Sequence, residues 1–92
     1  MSQVRATVRI QGDVQGVNYR ANTQQAARRH GVNGWVKNLP DGDVKAVFEG
    51  EEEEVRRLID WCRTGSPAAR VENIDVEWGD YTGEFDSFDI AY

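Results

Sequence analysis

Apolar and polar residues alternate near the start of the chain, where Val4, Ala6, Val8 and Ile10 interleave with Arg5, Thr7, Arg9 and Gln11. A period of two marks a strand with one buried face, and Gly12 is expected to end it. The period then changes. Tyr19, Thr23, Ala26, Ala27 and His30 recur at spacings of three and four, which predicts a helix from Tyr19 to His30 laid on a sheet. Gly31 suits its C-terminal cap. The segments VNGWVKN (32–38) and DVKAVFEG (43–50) read as two short strands. The Leu39-Pro40-Asp41-Gly42 link between them combines fixed φ, local side-chain bonding and tolerance of positive φ, so the pair is a hairpin. Glu51 to Thr64 predicts a second helix with Val55, Leu58, Ile59 and Cys62 on one stripe. Acids in its first turn and Arg63 near its end complement the helix dipole, and Gly65 with Pro67 stops it. Ile74, Val76 and Trp78 alternate within a strand over Val71–Trp78, and Phe88, Ile90 and Tyr92 alternate in a last short strand after a loop at 79–87.

The order is strand, helix, strand, strand, helix, strand, with a short final strand. Two strand–helix–strand crossovers packed on one side of a mixed sheet predict an α+β fold. In full, it is a ferredoxin-like α/β sandwich, βαββαβ plus a C-terminal strand, with two helices on one face of a mostly antiparallel sheet. The chain of 92 residues suits one core, hence a single domain over residues 1–92.

Composition narrows the function classes. Hydrophobic residues make up 39% and charged residues 29%, ordinary for a globular protein, and no apolar run approaches a membrane span. The N-terminus lacks the charged-then-apolar organisation of an export signal. The lone cysteine, Cys62, can neither close an internal disulfide nor build a zinc site by itself. A cytoplasmic location is the expectation. A net charge of −5 opposes nonspecific binding to nucleic acid or anionic membrane, so neither is expected as a partner. Bases are mostly arginine, with Lys37 and Lys45 the only lysines, a balance expected of a protein kept soluble in a salty cytoplasm. Glu51 to Glu54 reads as a helix start rather than a metal cluster, and His30 as a residue satisfying carbonyls at a helix end. Cys62 reads as a small buried hydrophobe. Trp35, Phe48, Trp61 and Trp78 read as core or rim packing, because the basic surface of a nucleic-acid binder is missing.

One stretch resists a purely structural reading. A right-handed crossover makes the first and second strands parallel, so their C-terminal ends lie on one edge of the sheet. Residues Gln15 to Arg20 follow the first strand and Asn38 ends the second, so the two should face each other. Gly12 and Gly16 permit turns that point amide N–H groups inward as an anion-binding nest, and the helix that follows adds its own free N–H groups. Asn18 is the expected N-cap. Arg20 falls in the first helical turn, where the dipole disfavours positive charge. With a bound phosphate its planar fork makes paired charge-assisted bonds that lysine cannot match. The candidate phosphate-binding set is Gln15, Gly16, Val17, Asn18, Tyr19 and Arg20.

The segments IQGDVQGVNYR and GWVKNLPDGDVKAVFEG resemble the two signatures of the acylphosphatase family, Gly-x-Val-Gln-Gly-Val-x-Phe-Arg and Gly-Trp-Val-x-Asn-x-x-x-Gly-x-Val with a further glycine six residues on. The resemblance extends from about Val4 to Tyr92. It implies hydrolysis of an acyl phosphate to carboxylate and inorganic phosphate, the latter being product and inhibitor. Arg20 then binds the substrate phosphate and Asn38 positions the attacking water. Tyr19 replaces the usual Phe, and Asn18 occupies a position that is often aromatic. The leaving carboxylate needs no strong general acid, and phosphoryl transfer relies on positioning and charge stabilisation, so no metal and no cofactor is expected. A monomer is expected. The alternative is a noncatalytic regulatory module that binds a phosphorylated metabolite on the same scaffold, since this scaffold hosts many functions.

Overall fold

The computed structural model describes residues 2–92. Its elements are β1 (Gln3–Asp13), α1 (Tyr19–Arg29), β2 (Asn33–Asn38), β3 (Val44–Glu51), α2 (Glu52–Thr64), β4 (Arg70–Asp80) and β5 (Phe88–Ile90). They form one five-stranded sheet in the order β4-β1-β3-β2-β5. β1 is antiparallel to both β3 and β4, β2 is antiparallel to β3, and β5 joins β2 in parallel. The ferredoxin-like sandwich predicted from the element order is the observed fold.

The alternating residues of β1 do what their period requires. Ala6, Val8 and Ile10 are fully buried, facing the stripe Tyr19, Thr23, Ala26 and Ala27 of α1 and the stripe Val55, Leu58, Ile59 and Cys62 of α2. Burying a large aliphatic or aromatic side chain is worth about 1.5–3 kcal/mol, so this layer supplies most of the drive to fold. Phe48 of β3 and Phe88 of β5 meet with centroids 5.8 Å apart, which draws the short fifth strand onto the core. α1 ends in a Schellman motif: the Gly31 N–H donates to the Arg28 carbonyl at 3.3 Å and the Val32 N–H to the Ala27 carbonyl at 2.9 Å.

Three local expectations change. Gly12 does not end β1, because β4 continues to pair through Gly12↔Val71 and Asp13↔Arg70 after a register shift between Gln11 and Gly12. The bulge absorbs the extra residue. The His30 ring does not serve carbonyls of its own helix. Its Nδ1 pairs with Glu54 Oε1 at 2.9 Å and ties the end of α1 to the start of α2. Glu51 belongs to β3 rather than the second helix, opposite Gln3. The other acids of the run, Glu52, Glu53 and Glu54, occupy the first turn of α2 and pair with Arg56 and Arg57 one turn on.

Register fixes the geometry on which the site depends. Val44 of β3 lies opposite Ile10 of β1 on one side and Asn38 of β2 on the other. The C-terminal ends of β1 and β2 therefore share one edge of the sheet, separated by the width of β3.

Candidate active site

The loop leaving β1 is anchored before it turns. Val14 is buried, and the Gln15 side-chain amide donates to the Leu39 and Asp43 carbonyls, both at 2.8 Å. Those carbonyls belong to the hairpin turn after Asn38, so one side chain clamps the two halves of the site together. Gly16 (φ 75°) and Asn18 (φ 61°) are both left-handed, while Val17 between them is not. Alternating handedness is the backbone pattern from which anion-binding nests are made. Gly16 adopts it at no steric cost, and Asn is the residue that best tolerates it elsewhere.

Asn18 stands at the N-cap of α1, but its side chain makes no capping bond there. The left-handed backbone accounts for the difference, since side-chain capping normally goes with a β-region N-cap. The Asn18 carbonyl instead accepts from the N–H and the side-chain amide of Asn22, each at 3.0 Å.

Tyr19 begins the helix and is buried. Its hydroxyl donates to the Cys62 carbonyl at 2.7 Å, and its ring lies 5.9 Å from that of Trp61. Burial holds its phenol far above the ordinary range, so it acts as a donor that does not ionise. Gly65 makes room for this ring, because a Cβ there would run into Tyr19. The helix end carrying Arg20 is thereby pinned to the end of α2. Burial likewise pushes the Cys62 thiol up to about 12, which leaves it an inert packing group.

A cavity of about 220 Å³ opens at this edge, lined by Val14, Gly16, Asn18, Tyr19, Arg20, Ala21, Asn38, Ile90 and Tyr92. Arg20 and Asn38, distant in sequence, thus meet in one cavity together with Gly16, Asn18 and Tyr19. Gln15 and Val17 do not line it: Gln15 spends its side chain on the clamp, and Val17 packs against the core. The first turn of α1 contains no acid, and Arg20 forms no ion pair among the described residues. Asn38 Oδ1 is buried and has no hydrogen-bond partner among the described residues, so this acceptor is left for a group other than the protein to satisfy. No group of three or more His, Cys, Asp or Glu among the described residues is placed to hold a metal ion. Sequence reasoning missed Val14, Ala21, Ile90 and Tyr92 as lining residues. For the last two the signal was present in the Phe88, Ile90, Tyr92 alternation, which points Ile90 the way of the buried Phe88 and carries on toward Tyr92.

Fold and cavity together define a small ferredoxin-like α+β protein with a cationic, loop-bound site at one end of its sheet. The family model described as Acylphosphatase matches residues 6–90, and the chain belongs to the acylphosphatase family. It is 59% identical over 90 residues to an acylphosphatase of Geotalea uraniireducens, covering 98% of this chain and 99% of the relative. An acylphosphatase of Pelotomaculum thermopropionicum is 52% identical over 92 residues, covering all of both chains. Among solved structures, the acylphosphatase from Bacillus subtilis superposes with a TM-score of 0.94 at 31% identity, over 97% of this chain and 99% of that one.

Proposed function

We propose that this chain hydrolyses acyl phosphates to carboxylate and inorganic phosphate, with the Gln15–Arg20 loop holding the phosphoryl group and Asn38 positioning the water. The partnerless Asn38 Oδ1 at the cavity carries this reading. A buried acceptor is satisfied by a water donating one O–H to it, which leaves the oxygen lone pair directed at phosphorus. The water oxygen attacks phosphorus as the bond to the acyl oxygen breaks, and the carboxylate departs with the electron pair. The water proton passes to a phosphate oxygen. Charge on the equatorial oxygens is met by Arg20 and by backbone N–H groups of Gly16 to Tyr19, fixed before substrate arrives. Gln15 supports this set through the clamp on the hairpin, and Val17 through its anchorage in the core.

The reading extends to one domain over residues 1–92, acting as a monomer in the cytoplasm, with an acidic surface adapted to salt. The family match spans most of the chain, and no helix among the described residues is long and apolar enough to cross a membrane. Benzoyl phosphate hydrolysis, assayed beside a phosphomonoester and in the presence of chelator, tests the chemistry. The expected outcome is turnover of the anhydride alone, undiminished by chelator. Phosphate binding without any turnover would instead favour a regulatory module.

A further inference from the structure

Tyr92 is fully exposed, and the chain that leads to it is held in the sheet. β5 pairs with β2 through Gly34↔Phe88, Trp35↔Asp89 and Val36↔Ile90. The Ala91 N–H then donates to the Val36 carbonyl at 2.8 Å, and Gln24 of α1 donates to the Phe88 carbonyl at 3.0 Å. Phe88 and Ile90 of β5 lie on the same face. Phe88 is buried in the core, Ile90 packs on its edge, and Tyr92 passes beyond it into the lining of the cavity. There the Arg20 guanidinium carbon lies over the Tyr92 ring, 5.3 Å from its centroid.

An aromatic face steadies a guanidinium without neutralising it. A carboxylate in the same place would compete with phosphate for the arginine. The Tyr92 ring also supplies a large apolar surface at the mouth of the cavity, beside the half-buried Ile90. A phosphoryl group takes up the loop and arginine, so this surface remains for the other half of the substrate. A flat acyl group suits it, because aromatic pairs stack offset or edge-to-face at centroid separations of about 4.5–7 Å. A methyl group has no face to offer.

Resting on the acyl phosphate reading of this site, we propose that Tyr92, with Ile90, forms a subsite for the acyl group and selects aryl acyl phosphates over short aliphatic ones. The test uses the full chain, Tyr92→Phe and Tyr92→Ala, with benzoyl phosphate and acetyl phosphate as the two substrates. Unsubstituted protein is expected to favour benzoyl phosphate in kcat/KM, and Tyr92→Phe to keep that preference. In Tyr92→Ala the ratio of benzoyl to acetyl kcat/KM should fall roughly fivefold, the scale of one lost aromatic contact, with the fall carried by KM for benzoyl phosphate. An equal loss on both substrates in Tyr92→Ala means the ring only steadies Arg20 and overturns the assignment, as does an unchanged ratio. Failure of the unsubstituted chain to turn over either substrate removes the reading of the site itself, and the subsite with it.

Discussion

Arg20 and Asn38 each carry a local cost that isolated structure does not explain. Arg20 sits in the first turn of α1 with no acid in that turn, against the helix dipole, and Asn38 holds a buried oxygen with no donor. In the proposed site, a phosphate beside Arg20 and a water on Asn38 would relieve both at once. In the proposed roles Arg20 grips phosphate in ground and transition states, whereas Asn38 touches only the nucleophile. Arg20→Ala should therefore weaken inorganic phosphate binding and also collapse turnover, while Asn38→Ala should lose turnover and retain phosphate binding. Charge-assisted hydrogen bonds are worth about 1.5–3 kcal/mol each, so losing the arginine should weaken phosphate binding by at least tenfold. Calorimetric phosphate titration beside benzoyl phosphate kinetics separates the two. Near-native turnover in Asn38→Ala or unimpaired phosphate binding in Arg20→Ala would show that the roles are misassigned.

At the scale of elements, the long connection from β4 to β5 must cross from one edge of the sheet to the other. Glu49 of β3 holds it in place. This carboxylate is only 2% exposed, and it accepts hydrogen bonds from the Thr82 N–H and hydroxyl, each at 2.9 Å, and from the Gly83 N–H at 3.1 Å. Arg5 adds an ion pair at 3.2 Å and reaches onward to Glu84 at 2.6 Å. Burial by itself would raise the Glu49 pKa, but the Thr82 and Gly83 donors together with Arg5 outweigh it and hold the carboxyl below the usual range. Near pH 4 the folded carboxyl thus binds fewer protons than the unfolded one, whose pKa is about 4.3, and stability rises with pH there. The contribution is complete above the unfolded pKa and is lost as pH falls through the folded one. Glu49→Ala should cost about 1–3 kcal/mol at neutral pH, since the Thr82 and Gly83 donors lose their acceptor and Arg5 keeps only Glu84. In urea melts from pH 7 to pH 3, its deficit relative to the unsubstituted protein should shrink below pH 4. A deficit independent of pH would mean that shape, rather than charge, holds the crossover.

Over the whole molecule, sixteen acids oppose eleven bases, and their distribution is uneven. The acids of α2 are matched by Arg56, Arg57 and Arg63 on the same helix, and Asp41 and Asp43 of the hairpin flank Arg9. By contrast, Glu72, Asp75, Glu77 and Asp80 lie along β4 and form no ion pair among the described residues. β4 is an edge strand, and a charged edge resists pairing with another chain. The same charges repel one another. Salt screens that repulsion, and it also weakens exposed ion pairs worth about 0–1 kcal/mol each. With net charge −5, relief of repulsion should win, so the melting temperature should rise as KCl is increased from dilute to molar. A flat or falling curve removes the salt-adapted reading and leaves the enzymatic one untouched.

What the sequence determined alone was whatever depends on neighbours along the chain. Periods of two and near 3.6 placed both helices and the strands β1, β4 and β5, because a side chain's face follows directly from backbone geometry, and the Pro40-Asp41-Gly42 turn signal placed the hairpin of β2 and β3. The glycine-bearing loop, the Arg20 that follows it and the strand-end Asn38 were legible as a candidate site for the same reason, once a right-handed crossover put the ends of β1 and β2 on one edge. Tertiary structure decided what depends on pairing between distant segments. β4 carried β1 past Gly12, because hydrogen bonding continued through a bulge that no local pattern announced. Glu49 stands on the face away from the helices, where alternation predicts exposure, and became buried only when residues 82 and 83 folded over it. Gln15 lay within the loop motif, but the target of its side chain is a hairpin turn more than twenty residues away. Tyr92 joined the cavity because β5 adds beside β2 in parallel. A three-residue strand takes its place in the sheet from the backbone partners and core contacts it finds, and those are settled only when the rest of the molecule is in place.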